Sequence, residues 1–225
     1  MSLAVPADLV DPLVLANRIL YDQGVVDGLG HASVRHPTEP GVFLLSCNRA
    51  PGLVRRQDIT CYDFDGNTLS DQKERPYLER FIHAEIYRER PDVMAVVHSH
   101  SPSVIPFAIT HNALKPVFHM SGFLGEGSAH FEIREAGGNT DMLISSSYLG
   151  AALARSLGRH SCVLMRGHGS TVVGTSLQQV VYRAIYAEVN AKLQLGAQAL
   201  GEITFLNAEE LSLIHISEPT RPERI

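Results

Sequence analysis

Five consecutive apolar residues, 93–97 (VMAVV), run directly into His98-Ser99-His100. The run is too short for a buried helix and rich in β-branched residues, so it reads as the core of a buried strand. In a strand, side chains at i and i+2 point the same way. His98 and His100 therefore share one face, at the strand's end. Two neutral imidazoles in that position suit a metal ion, although an H-x-H pair alone is equally an ordinary strand end.

Other segments supply the elements around it. Residues 9–22 carry helical apolar spacing (Leu13, Ala16, Ile19, Leu20) and stop at Gly24. A Gly-rich turn at 28–30 leads into a short strand, and 41–48 and 57–63 read as two more, the last closed by Asp65-Gly66-Asn67. Pro76 opens a predicted helix with apolar positions Leu78, Phe81, Ile82 and Ile86, and Pro91 follows its end. Residues 115–122 suggest another short strand. Residues 146–157 form a predicted helix stopped by Gly158, and 161–165 (SCVLM) a buried strand running into RGHGS. A long amphipathic helix is expected over 176–200, along Leu177, Val180, Val181, Ala184, Ile185, Val189 and Leu193. No internal repeat or low-complexity linker is present, and one α/β domain accounts for the pattern.

Length and charge narrow the function classes. A chain of 225 residues with 44% hydrophobic content buries a core without staples, and a net charge of −5 offers no basic patch for nucleic acid. No run approaches the 18 or so apolar residues of a membrane span. The start, MSLAVPADLVDP, has neither the basic nor the apolar region of a secretory signal. Cys47, Cys61 and Cys162 are odd in number and widely spaced, which predicts no disulfide framework and fits a reducing, cytoplasmic setting. The last fifteen residues, LSLIHISEPTRPERI, do not continue the preceding helical pattern and resemble translated sequencing-adapter read-through. The domain is therefore expected over 1–210, with 211–225, including His215, a non-native tail.

A third histidine ends the other convincing strand. His168 lies between Gly167 and Gly169, which let backbone pass close to a neighbour. Two strand ends delivering His98, His100 and His168 would make a three-nitrogen site with an open position, the catalytic pattern. Glu79 sits at the start of a predicted helix among apolar neighbours, where a solvated first-turn carboxylate is the plainer reading. His83, four residues on, reads as helix packing.

Together, Glu79, the H-S-H of 98–100 and the R-G-H-G of 166–169 resemble the class II aldolase and adducin family, including the spacing of 19 residues from Glu79 to His98. The resemblance runs from about Leu9 to Glu210. It implies a three-layer α/β/α domain around a mostly antiparallel sheet. It also implies a divalent metal on His98, His100 and His168, an acid/base role or a fourth ligand position for Glu79, and a homotetramer with active sites between subunits. Zinc and manganese both suit such donors.

The departures from the family's sugar-phosphate aldolases carry information as well. Those enzymes have a Ser-Ser pair before the glutamate, where this chain has Tyr77-Leu78, and an Asn in the first Gly-rich turn, where this chain has His31. A phosphate needs several convergent donors, and these are missing. The tyrosine that serves a neighbouring subunit's site in the fuculose-phosphate aldolases is replaced by His119. The stretches GHASVR, RAPG, YLERFIHAEIY and PVFHM resemble instead a decarboxylase branch, typified by 3-hydroxy-2-methylpyridine-4,5-dicarboxylate and dihydroxyphthalate decarboxylases.

That resemblance implies a metal-dependent carboxy-lyase on a hydroxylated aromatic or pyridine carboxylic acid, proceeding through a metal-stabilised keto tautomer. Glu79, as a carboxyl kept protonated by apolar walls, or His119 would supply the proton. His31, Ser33 and Arg49 would bind substrate carboxylates, with Ser33 also bracing its turn, while Arg35 is expected to be structural. An aldolase or epimerase on a small hydroxy-carbonyl compound is the alternative, and a non-catalytic adducin-like module the second.

Overall fold

The computed structural model describes residues 3–70 and 74–217, with side chains to residue 214. Seven strands form one sheet in the order β3-β2-β1-β4-β7-β6-β5. They are β1 (His31–Arg35), β2 (Val42–Ser46), β3 (Ile59–Asp63), β4 (Ala95–Ser99), β5 (Ala129–Phe131), β6 (Cys162–Met165) and β7 (Gly169–Gly174). Every pairing is antiparallel except β5 with β6. The helices are α1 (Ala7–Asp22), α2 (Arg80–Glu89), α3 (Ile105–Ala108), α4 (Ile133–Gly137), α5 (Ser147–Leu157), α6 (Leu177–Leu200) and α7 (Ala208–Ser217).

Strand alternation sorts the core into two sides. Ala32, Val34, Ala95, Val97, Leu164 and Val172 face α1 and α6, whereas Phe43, Leu45, Val96, Val163, Met165 and Val173 face α2 and α5. The result is the expected α/β/α sandwich. His98 follows the parity of Val96, so it points to the α2 side. His31 is its cross-strand partner in β1 and points the same way. Ser146 and Ser176 cap α5 and α6 by accepting the N–H groups of Leu149 and Gln179.

Three expectations need correction. The helix does not begin at Pro76: Pro76 bridges to Cys47 in an extended segment, and α2 starts at Arg80, so Glu79 occupies its N-cap position rather than its first turn. Residues 115–122 are not a strand. Asn190 of α6 accepts from Val117 N–H at 2.9 Å and Ser121 Oγ at 2.6 Å and donates to the Lys115 carbonyl at 2.8 Å, so a side chain stands where a partner strand would be. His119 and Met120 then open a 3₁₀ turn running to Leu124. Finally, the stretch between His168 and the long helix, given no element in the sequence reading, forms β7, central in the sheet. Of the expected tail, 211–217 continue α7, with Leu211 buried. Residues 218–225 lie outside the described residues, and so does the side chain of His215.

Candidate metal centre

The ends of β4 and β7 meet at one edge of the α2 side. Gly169 makes that approach feasible: a Cβ there would collide with the Ser99 carbonyl oxygen and lie 3.2 Å from His100 Cα. Gly167 turns the chain at φ +65°, a conformation that suits glycine. The rings of His98, His100 and His168 consequently stand 4.9–5.2 Å apart, centroid to centroid.

Glu79 faces them from the start of α2. Its Oε1 accepts the Ile144 N–H at 2.9 Å, which leaves Oε2 turned inward, 3.6 Å from His98 Nε2 and 3.4 Å from His168 Nε2. One donor atom from each of these four residues lies within 4.8 Å of the rest. Two metal–ligand bonds of about 2.0–2.2 Å laid end to end span about 4.4 Å, so the cluster is close to the size of one coordination sphere.

Hydrogen bonds fix the tautomers. His98 Nδ1 meets the Ser170 carbonyl at 3.1 Å, and a carbonyl only accepts, so Nδ1 carries the proton. His100 Nδ1 meets Asp27 Oδ2 at 3.1 Å with the same consequence. In the neutral rings both Nε2 atoms then carry lone pairs, buried and without a hydrogen-bond partner, and the two buried ring nitrogens of His168 share one proton and one lone pair. Burial drives the His98 imidazole down to about 3, with the Glu79 charge only partly opposing it. Burial raises the Glu79 carboxyl, but the facing His168 and His98 rings and the Ile144 N–H outweigh it and hold that carboxyl at about 2. At neutral pH an ionised carboxylate thus looks across 3.6 Å at an imidazole lone pair. Buried acceptors facing one another need a cation between them. Three neutral nitrogens and one carboxylate are a fitting donor set for a divalent ion. A Glu79 carboxyl kept protonated is therefore a corrected expectation: its surroundings ionise it.

Behind the cluster lies a second layer. His31 is buried, its ring 5.2 Å from that of His98 and 4.4 Å from that of Tyr77. Its Nδ1 is 2.7 Å from His83 Nε2; His83 Nδ1 is 2.6 Å from Ser33 Oγ, which is 2.8 Å from the Tyr87 hydroxyl. Burial lowers the imidazoles of His31 and His83, the latter to about 3, so both are neutral. Ser33 is thus enclosed, with its hydroxyl between His83 and Tyr87 rather than at the open end of the site. Arg49 is partly exposed and paired with Asp58 at 2.9 Å, and its carbonyl accepts from the Tyr77 hydroxyl. Arg35 is structural, donating to the carbonyls of Val93, Tyr87 and Arg90. His119 is exposed and stands outside its own chain's metal cluster.

Asp27 was not legible as a site residue, yet it orients His100. The signal was available in D-G-L-G before His31. Asp27 Oδ1 accepts the Leu29 and Gly30 N–H groups in an Asx turn, and that fixes the carboxylate.

The family model for the class II aldolase and adducin N-terminal domain matches residues 11–195. The chain belongs to the class II aldolase and adducin family. It is 42% identical over 195 residues to decarboxylase tropJ of Talaromyces stipitatus, covering 81% of this chain and 73% of that protein. It is 31% identical to the 3,4-dihydroxyphthalate decarboxylase of Arthrobacter keyseri, over 85% and 79% of the two chains. Among solved structures, an L-fuculose 1-phosphate aldolase superposes with a TM-score of 0.79 at 20% identity, covering 96% of this chain and 98% of that one, a likeness of fold. No helix among the described residues is long and apolar enough to cross a membrane.

Proposed function

We propose that this protein is a divalent-metal-dependent lyase that decarboxylates a hydroxylated aromatic or pyridine carboxylic acid. The observation that carries the reading is the cluster of three imidazoles around one carboxylate, in which the buried Nε2 lone pairs of His98 and His100 have no hydrogen-bond partner and Glu79 Oε2 faces His98 and His168. The named decarboxylases among its relatives support carboxy-lyase over aldehyde-lyase. So does Tyr77, whose buried ring and backbone-bound hydroxyl stand where a phosphate cradle would need small donors.

His98, His100 and His168 would hold zinc or manganese, with Glu79 beside or among the ligands. The ion, when bound, supplies Lewis-acid stabilisation of negative charge on the substrate's oxygens. The chain's own residues handle the proton. Glu79 Oε2 is ionised at rest, so it takes the proton of the ring hydroxyl. It then delivers that proton to the ring carbon bearing the carboxylate. The C–C bond breaks, its electrons return to the ring, carbon dioxide leaves, and the phenolate takes up one proton from solvent water, the proton the overall reaction consumes. His31 and Arg49 would bind the substrate's carboxylates. His119 would complete a neighbouring subunit's site in a homotetramer. The free, buried cysteines support a reducing, cytoplasmic location.

The test is carbon dioxide release from a panel of ortho-hydroxy aromatic dicarboxylates, metal-free and then with zinc or manganese. Metal-dependent release is expected. It should fall by more than about a hundredfold in His98→Ala, since losing a ligand exceeds the 10–100-fold cost of losing a ligand's supporting partner. Metal-dependent cleavage or epimerisation of a hydroxy-carbonyl compound without carbon dioxide would replace this reading with the aldolase one.

A further inference from the structure

The four-residue chain behind the metal cluster has a direction, and the direction can be worked out atom by atom. Tyr87 is buried, and burial pushes its hydroxyl up, so it keeps its proton. A buried phenol proton needs an acceptor. Among the described residues, Ser33 Oγ at 2.8 Å is the one it has.

The rest follows by donor and acceptor counting. Ser33 Oγ accepts from Tyr87 and has one proton of its own. Its other neighbour is His83 Nδ1 at 2.6 Å, so that proton goes there and Nδ1 is the acceptor. A neutral His83 then carries its proton on Nε2 and donates across 2.7 Å to His31 Nδ1. A neutral His31 in turn carries its proton on Nε2. Running the chain the other way would leave the Tyr87 O–H buried with no acceptor, a cost the first direction avoids. His31 Nε2 has no hydrogen-bond partner among the described residues. The ring is the cross-strand neighbour of His98 and lies on the same side of the sheet.

We propose that Tyr87, Ser33 and His83 are positioning residues that lock His31 as its Nε2–H tautomer, an uncharged donor aimed at an anionic oxygen of the substrate beside the metal cluster. The oxygen's assignment to a carboxylate or phenolate rests on the decarboxylase reading; the proton order does not. An uncharged donor grips an anionic oxygen without a charge–charge hold that must be broken when that oxygen's charge leaves as carbon dioxide, which suits a group that must bind and then let go. It also explains why the first residue of β1 is a histidine backed by a second histidine rather than an arginine.

The test is neutron diffraction from deuterated crystals of the zinc-loaded full chain, wild type and Tyr87→Phe. In the wild type, deuterons are expected on Nε2 of both His31 and His83, with the Ser33 deuteron directed at His83 Nδ1. In Tyr87→Phe, Ser33 is free to accept or donate, and the deuterons should divide between the two nitrogens of each ring. A wild-type deuteron on His31 Nδ1, or an unaltered pattern in Tyr87→Phe, overturns the proposal. Because the readout is proton position, a failed turnover assay would leave the result standing, and a reversed chain would leave the decarboxylase reading standing.

Discussion

At Asp27 one carboxylate closes a turn with Oδ1 and orients a metal-cluster histidine with Oδ2. Burial raises its carboxyl, but the Leu29 N–H and His100 outweigh that and hold it below the usual range. Removing the charge while keeping the shape isolates the second role. Asp27→Asn should bind zinc about tenfold to a hundredfold more weakly, the usual loss when a ligand's supporting partner goes. Competition with a chromophoric chelator measures it, and unchanged affinity would mean His100 needs no such partner. His83 gives a prediction of the opposite kind, on stability. Its folded value of about 3 lies below the unfolded value of about 6.5. Between those values the unfolded chain binds the proton and the folded chain does not. Stability is then fully present above about pH 6.5 and declines as pH falls toward 3. Urea midpoints of the metal-free chain should drop between about pH 7.5 and 5. His83→Gln should drop less over the same interval; an equal drop would show that His83 does not carry the dependence. Histidine identity and spacing made the metal cluster legible in the sequence. The second layer was not, because Ser33, His83 and Tyr87 come from two elements whose mutual facing depends on how α2 lies on the sheet.

At the scale of elements, legibility followed the length and apolar density of each segment. β4 and β6 are short and densely apolar, and both were readable. β7 runs Gly169–Gly174 through serine and threonine, and β5 has three residues, so neither gives a periodic signal. Residues 115–118 have the composition of a strand, but their backbone groups pair with Asn190 and Gln194, polar residues buried on a helix face that the apolar period alone cannot show. Gly169 is where an element boundary and the site coincide. Gly169→Ala should destabilise the fold by about 1–3 kcal/mol through overpacking. It should also weaken zinc binding, because relieving the clash with Ser99 separates β7 from the histidines of β4. Gly196→Ala is the control. A Cβ there meets nothing within 4 Å, and alanine in a helix is favoured by about 0.5–1 kcal/mol. Melting temperature and chelator competition on both variants decide it: equal zinc affinity in Gly169→Ala would separate the close approach from the site.

For the whole molecule, the question is whether one chain's site is complete. His98, His100, His168 and Glu79 close on one another within a single chain, while His119 is exposed on the 3₁₀ turn that α7 packs beside. Under the tetramer proposed above, an active site takes its ligands from one subunit and His119 from the next. Two defective variants then make a sharp test. His98→Ala lacks a ligand but keeps His119, and His119→Ala keeps its ligands. Each alone should be strongly impaired. When they are co-refolded in equal amounts, a site is intact when an His119→Ala chain supplies the ligands and an His98→Ala chain the histidine. With random assembly that arises at about a quarter of sites. Recovery of activity to about that fraction, with zinc content at about half of wild type, is the expected outcome. If His119 served its own chain, no mixture could repair it, because every chain with intact ligands would still lack its own His119. Activity would then stay at the level of the His119→Ala chains alone, whatever the state of assembly.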